Sequence, residues 1–331
     1  MLSKDIGIDL GTENVLIYIK DEGIVLNEPN VVVINKKDNS IVAIGEEAKN
    51  MLGKTPRDIK AIRPMKNGVI ADLELTELML EKFIKKVKGN KSILRPRVLI
   101  CCPSSITEVE KNALVETVRE TGARKIYIEE EAKMAAIGAG IKISKSTGNM
   151  VVDIGGGTTD IAVLSLDDIV ISKSIPIAGN SFTEEIIKYI RENYEILVGE
   201  PTAEKIKCEF ANCHNLKSKK EYKVKGRNLI TGLPQTITIT EKDTEKALNN
   251  IIKKIIKEIQ NILEKTPPEL SSDIIDTGIV LTGGGSLLKG LREKLMEELK
   301  VPVLIASSPL TCVIDGTKIL LKDVKKLNSI A

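Results

Sequence analysis

An α/β fold is predicted, and three observations predict it. Short apolar runs of strand length recur along the chain, interleaved with longer stretches of helical period. One turn, built from an acid, glycines and hydroxyl residues between two alternating runs, occurs twice. A third glycine cluster leads from an apolar run straight into a helical stretch.

Strand-like runs fall at 5–10, 14–19, 24–34, 97–102, 150–154, 160–165 and 278–282. Helical periodicity covers about 74–88, 107–121, 181–194, 243–265 and 286–299. Thr107 followed by Glu110 reads as a capping box, and Gly122 closes that helix. The stretch 243–265 repeats Ile251, Ile252, Ile255, Ile256, Ile259 and Ile262 on one face and stops at Pro267-Pro268. A core-packing helix is favoured there over a membrane-surface one. Residues 36–68 and about 215–240 are dense in Lys, Asn, Gly and Pro and read as loop-rich and strand-poor. They look like smaller subdomains inserted into two larger α/β units.

A chain of 331 residues is long enough for two ordinary domains and a sizeable core. Charged residues make up 29%, yet the signs nearly cancel at +3, which argues against bulk attraction to nucleic acid. No run of about 18 apolar residues exists to span a membrane, and the N-terminus lacks a signal-peptide core, so a cytoplasmic protein is expected. The five cysteines form no CxxC pair. Cys101 and Cys102, in "RVLICCPSS", read as buried small side chains. Cys208, Cys213 and His214 lack an evident fourth ligand, which disfavours zinc. A single histidine likewise disfavours a His-based triad.

The repeated turn carries the functional argument. "DIGIDLGTENVLIYIK", residues 5–20, contains Asp9-Leu10-Gly11-Thr12-Glu13-Asn14. "NMVVDIGGGTTDIAVLSL", residues 149–166, contains Asp153-Ile154-Gly155-Gly156-Gly157-Thr158-Thr159-Asp160. Alternation on both sides of each turn predicts a hairpin. Glycine removes the Cβ and lets backbone N–H groups approach a ligand closely, a nest suited to phosphate oxygens. A carboxylate beside phosphate requires a cation between them, and Mg²⁺ is commonly held by one or two carboxylates plus phosphate. One such turn is as well explained as a tight hairpin. Two copies with the acid in register favour a Mg-nucleotide gripped by both. In "GIVLTGGGSLLKGLREKL", Gly283-Gly284-Gly285 and Ser286 form a turn feeding a helix N-terminus, which can hold phosphate or let a flat base lie on the backbone. "GKT" at 53–55 lacks the glycine of a Walker A loop, and no cluster spells GxGxxG.

Two Asp-Gly-Thr hairpins with a late glycine turn resemble the actin, Hsp70 and sugar-kinase superfamily. Within it, "DIGIDLGTEN", "GIVLNEPNVV", "IKAIRPMKNGVIAD", the "TGNM" form of the second hairpin, "TAEKIK", "LEKTPPEL" and "VLTGGGSLLKGL" resemble the bacterial actin homologue MreB family of rod shape-determining proteins. "LICCPSSIT", "YIEEEAKMAAIGAG" and "VPVLIA" look most like its MreB-like paralogue Mbl. The likeness runs from residue 5 to about 295.

The resemblance implies an actin-like fold: duplicated ribonuclease-H-like domains with two inserted subdomains around a nucleotide cleft. Its implied boundaries are 1–32 plus 69–145 for subdomain IA, with the tail 315–331, and 33–68 for IB. Subdomain IIA takes 146–180 plus 253–314, and IIB takes 181–252. It implies ATP and Mg²⁺, with Asp9 and Asp153 holding the hydrated ion. Gly11, Thr12, Glu13, Asn14, Gly155, Gly156, Gly157 and Thr158 would serve the phosphates. Glu204, Lys205, Ile206 and Lys207 would reach ribose or adenine, and Gly283, Gly284, Gly285, Ser286 and Leu287 would line the nucleoside side. Taken alone, Glu129, Glu130 and Glu131 read as a solvated acidic turn. The resemblance makes Glu131 the residue that orients the attacking water, shared with Thr158.

Three departures from the family pattern bear on turnover more than on binding. Ala132 stands where the family has proline, which releases φ and loosens the aim of Glu131. Glu13 stands where alanine is common, and Lys318 where glycine is usual.

The resemblance also implies membrane contact through Ile93 and Leu94 in "GNKSILRPR", and this is favoured over the alternative that they simply start the core of the next strand. Burying such a pair is worth at most roughly 3–6 kcal/mol, so firm attachment needs the avidity of a filament. The implied partners are the chain itself in paired filaments, the inner face of the cytoplasmic membrane, and cell-wall elongation membrane proteins such as RodZ, MreC and MreD. The expected function is an ATP-dependent, membrane-associated filament that scaffolds cell-wall synthesis, hydrolysing ATP slowly. A small-molecule kinase of the same superfamily is disfavoured because no polar cluster follows the first hairpin. A chaperone-like ATPase is disfavoured because no substrate-binding domain follows residue 331.

Overall fold

In the computed structural model, which describes residues 5–88, 96–104, 106–214 and 220–322, the first alternating run folds back on itself. Strand β1 (Ile6–Leu10) pairs antiparallel with β2 (Asn14–Ile19), which pairs antiparallel with β3 (Gly23–Pro29). The run expected as one strand over 24–34 breaks at Asn30, because Pro29 has no N–H to continue a ladder. It resumes as β4 (Val32–Asn35) in a different sheet. That small sheet is completed by β5 (Ile41–Ile44) and, after helix α1 (Glu46–Asn50), by β6 (Ile59–Ile62). Val31, Val33, Ala43 and Ala48 form its own core. A two-stranded ribbon of β7 (Met65–Lys66) and β8 (Val69–Ile70) follows. Its turn is Asn67-Gly68, both at positive φ (52° and 73°), as a tight hairpin requires.

Helix α2 (Leu73–Lys88) then leads to the described start of β9 (Arg97–Cys102), with Ile93 and Leu94 lying outside the described residues. Helix α3 (Glu108–Glu120) has the expected capping box between Thr107 and Glu110, and the Gly122 N–H donates to Arg119 O at 2.8 Å behind it. Strand β10 (Lys125–Glu130) runs without interruption into α4 (Glu131–Gly138).

The second unit begins with the hairpin of β11 (Asn149–Ile154) and β12 (Thr159–Ser165), extended by β13 (Asp168–Ile175). Helix α5 (Gly179–Tyr194), the short β14 (Ile196–Leu197) and α6 (Glu200–Glu209) come next. Residues 215–240 were expected to be strand-poor, yet the described part forms a hairpin of β15 (Glu221–Asn228) and β16 (Pro234–Thr240). Its alternation is hard to see because only Val224 and Ile239 are buried and the other face carries Lys and Thr. Helix α7 (Glu241–Lys265) buries its isoleucine stripe, with Ile252, Ile255 and Ile259 fully covered. It is followed by α8 (Pro268–Thr277) and β17 (Ile279–Thr282). The helix expected over 286–299 is split. A single 3₁₀ turn spans Gly284–Leu287, Gly290 takes φ 80°, and α9 (Leu291–Leu299) starts only after it. Strand β18 (Val303–Ile305) precedes α10 (Cys312–Leu320).

The chain divides into two compact units, Met1–Ile143 with Leu310–Ala331, and Ser144–Pro309. In the first, α10 lies backbone to backbone on α4: a Cβ on Gly138 would come within 1.8 Å of Cys312 O, and one on Gly316 within 2.1 Å of Met134 O. No side chain larger than hydrogen fits either position. Each unit is built on one five-stranded sheet, ordered β10-β9-β1-β2-β3 in the first and β18-β17-β11-β12-β13 in the second. Strand directions match one for one: three parallel strands, then two antiparallel steps. The duplication seen in two turns therefore extends to whole sheets. Among the described residues, no helix is long and apolar enough to cross a membrane.

Candidate functional site

In parallel α/β sheets, chemistry collects at the carboxyl ends of the strands. Asp9 and Asp153 are each the penultimate residue of the middle strand of their sheet, β1 and β11. Register defines their neighbours. Asp9 lies across from Cys101 on β9, and Asp153 across from Thr282 on β17, so Cys101 and Thr282 occupy equivalent places.

The two halves use these places differently. Thr282 Oγ1 donates to Asp153 Oδ1 at 2.7 Å. Cys101 Sγ instead lies 3.0 Å from Thr317 Oγ1 on α10. Burial pushes Asp153 up to about 7; the Thr282 hydroxyl pulls the other way, and Asp160, directly opposite on β12, adds to the rise. Asp9 is half-buried. Burial also pushes the Cys101 and Cys102 thiols up, and the nearby charges of Asp9 and Glu131 reinforce this. Both cysteines are neutral packing groups, as their apolar run suggested.

In the first hairpin, the turn Gly11-Thr12-Glu13 is fastened from outside. Asn30 N–H donates to Glu13 O at 2.7 Å and Asn30 Nδ2 to Gly11 O at 2.9 Å. Gly68 N–H donates to Thr12 Oγ1 at 3.2 Å, which leaves the hydroxyl hydrogen of Thr12 able to donate. Arg63 Nη1 stands 3.0 Å from both carboxylate oxygens of Glu13. The Asn14 side chain turns to Asn27, at 2.6 Å.

Glu131 is the first residue of α4 and only 7% exposed, so the acidic run is not a solvated turn at this position. The N-terminus of a helix favours a negative side chain there. Ala132 is the second helical residue and buried, so the helix backbone holds it where the expected loosening assumed a free loop. Glu129 pairs with Lys133 at 3.4 Å. Lys318 lies in the last turn of α10.

In the second hairpin, Gly155 N–H donates to Thr158 O at 2.9 Å, and the carbonyls of Gly155 and Gly156 accept from Gly179 and Asn180 at the start of α5. Thr158 is 5% exposed. Of the "TAEKIK" residues, Glu204 and Lys207 share a face: their side chains meet at 2.7 Å, Thr183 Oγ1 donates to Glu204, and Lys207 Nζ donates to Gly179 O. Burial alone would raise the Glu204 carboxyl, but Lys207 and Thr183 hold it below the usual range. Lys205 points to Glu209 on the outside, and Ile206 is wholly in the core. In the late turn, Gly283 has φ 76°, and a Cβ there would come within 2.3 Å of Ile154 O. Ser286 Oγ donates to Gly283 O at 2.6 Å and is buried, whereas Leu287 is exposed. Thr282, Arg63, Asn30, Gly68, Thr183 and Gly179 were not singled out from the sequence. Arg63, Gly68, Asn30 and Thr282 lie inside motifs named above, but only register and folding bring the six to these turns.

Two like sheets, each ending its middle strand in an acid and a glycine hairpin, define an actin-like α/β protein. The chain matches solved structures of MreB5 of Spiroplasma citri bound to ADP (TM-score 0.93, 42% identity, 98% of this chain and 97% of that chain) and of MreB 5 of the same organism bound to AMPPNP (0.92, 41%, 98% and 98%). It shares its fold with a MamK double helical filament at TM-score 0.81 and 21% identity, over 96% and 98% of the two chains. It is 52% identical to the cell shape-determining protein Mbl of Bacillus subtilis (strain 168), over 99% of this chain and 98% of that protein. Identity to the cell shape-determining protein MreB of Escherichia coli (strain K12) is 50%, over 96% and 92%. The family model "MreB/Mbl protein" matches residues 3–329, and the chain belongs to that family of cell shape-determining, actin-like proteins.

Proposed function

We propose that this chain is an ATP-dependent, membrane-associated filament protein that scaffolds cell-wall synthesis and so determines rod shape. The observation that carries the reading is the pair of equivalent acids, Asp9 and Asp153, each beside a glycine hairpin at the same strand position of a repeated sheet. The adenine nucleotides bound in the two Spiroplasma citri structures support ATP and ADP as the ligands.

The residues present fit a Mg-nucleotide. Burial and the facing Asp160 push the Asp153 carboxyl up to about 7, and a cation beside it would favour the ionised form. Thr12 keeps a hydroxyl hydrogen to give to a phosphate oxygen, since Gly68 already occupies its acceptor side. Magnesium, when bound, neutralises charge building on the β- and γ-phosphate oxygens. Asp9 and Asp153 would hold it through its waters. Gly11 to Asn14 and Gly155 to Thr158 would serve the phosphates. Glu204 and Lys207 would face ribose and adenine, with Lys205 and Ile206 as their helical neighbours, and Gly283 to Leu287 would line the nucleoside.

Glu131 would hold a water by hydrogen bond, aim it at the γ-phosphate and take its proton late, with Thr158 sharing that water. The four subdomains take the boundaries the resemblance implies. Self-assembly, docking of Ile93 and Leu94 on the inner membrane face, and contact with RodZ, MreC and MreD belong to the same reading.

Electron microscopy and phosphate-release assays with Mg-ATP, with and without liposomes, test it. Nucleotide-dependent filaments that gather on liposomes are expected. A protein that stays monomeric and phosphorylates a sugar acceptor would overturn it.

A further inference from the structure

The first hairpin carries an acid, Glu13, in a turn whose proposed ligand is itself an anion. Unopposed, that carboxylate would repel a phosphate held by the same turn, and salt screens such repulsion only over roughly 8 Å. The structure meets the charge locally. One guanidinium nitrogen of Arg63 bridges both Glu13 oxygens at 3.0 Å, with side-chain exposures of 23% for Arg63 and 36% for Glu13. The pair is partly exposed, so salt screens it in part.

Its setting gives it leverage. Arg63 is the residue after β6, at the edge of the small sheet, and five residues later Gly68 donates to Thr12, the neighbour of Glu13. Asn30 grips the carbonyls of Gly11 and Glu13 from the other side. Arg63, Gly68 and Asn30, from two separate segments, hold this one turn, and Arg63 is the charged member of the three.

We propose that Arg63 is a positioning residue that cancels the Glu13 charge, and that the Glu13–Arg63 pair sets how strongly the turn accepts a nucleoside triphosphate relative to a diphosphate. This rests on the Mg-nucleotide reading above. The direction follows from charge: MgATP carries one more negative charge than MgADP, so an uncompensated Glu13 penalises it more. Removing the Glu13 charge alone takes a negative group away from the phosphates, and the triphosphate gains more than the diphosphate.

The test titrates the full chain and its variants R63Q, E13Q, R63Q/E13Q and R63K with Mg-AMPPNP and MgADP, at low and at high NaCl. R63Q weakens AMPPNP by about tenfold and ADP by less, and the gap narrows as salt rises. E13Q tightens AMPPNP severalfold. The double variant returns to within about threefold of the parent, and R63K, which keeps the charge, stays near it. A double variant as weak as R63Q overturns the proposal, because Arg63 then acts through folding or through the phosphate itself. An R63Q protein with parental affinity overturns it as well. Should R63Q fail to fold, E13Q decides: unchanged or weakened AMPPNP binding overturns the proposal. A parent that binds neither nucleotide overturns the Mg-nucleotide reading, and this proposal with it.

Discussion

Thr282 and Asp153 are joined by a 2.7 Å hydrogen bond between neighbouring parallel strands, and this hydroxyl opposes the burial that drives the Asp153 carboxyl up. The equivalent position in the first unit is Cys101, whose sulfur turns to Thr317. The two acids are thus equal in topology, and the residues across the parallel strand from them differ.

Replacing Thr282 with Val removes the hydroxyl and keeps the shape. The ionised form of Asp153 loses the Thr282 hydroxyl as a donor, so its pKa climbs further and Mg-dependent nucleotide affinity falls by about tenfold at neutral pH. Carboxyl carbon chemical shifts followed over pH check the first effect, and nucleotide titration checks the second.

The stability of the nucleotide-free chain should carry the same signature. Asp153 binds its proton up to about pH 7 when folded, against an ordinary value of 3.8. Between those values the native state holds a proton that the unfolded chain has released, so this contribution is full below pH 3.8 and is lost as pH rises to about 7. Its size is on the order of 4 kcal/mol. Asp153→Asn should flatten that segment of the curve of unfolding free energy against pH; an unchanged slope assigns it to another group.

Glu131→Gln keeps the volume at the head of α4 and removes the base. Nucleotide affinity should stay within about threefold of the parent, while phosphate release falls by about a hundredfold or more. Single-turnover release measured beside equilibrium binding separates the two. Release at the parental rate would remove Glu131 from the hydrolytic role.

Changing Ile93 and Leu94 together to Ser should spare filament assembly in solution and cut co-pelleting with liposomes. Loss of two apolar side chains per subunit is multiplied along a filament, so the deficit grows with polymer length. Equal pelleting would exclude these two residues as the membrane contact.

Much of this was legible in residue order. The capping box at Thr107, the isoleucine stripe of α7 and the two acidic hairpins are local signals, written within one helical turn or one strand pair. The β15–β16 hairpin is not legible in the sequence because only one residue of each strand, Val224 and Ile239, is buried, so its alternation is mostly polar. The break within 286–299 is not legible either, because the periodicity runs through Gly290 and only its φ of 80° interrupts the helix.

What the sequence determined by itself was the repeated strand-acid-glycine unit and, through it, the α/β class and the kind of ligand to expect. The tertiary structure decided which side chains stand beside each acid: Thr282 for Asp153, Cys101 for Asp9, and Arg63 for Glu13, 50 positions away. The division is physical. Periodicity and turn chemistry act between residues a few places apart, whereas the charge and hydrogen-bond partners of a buried acid come from strand register and chain return, which no short window of sequence contains.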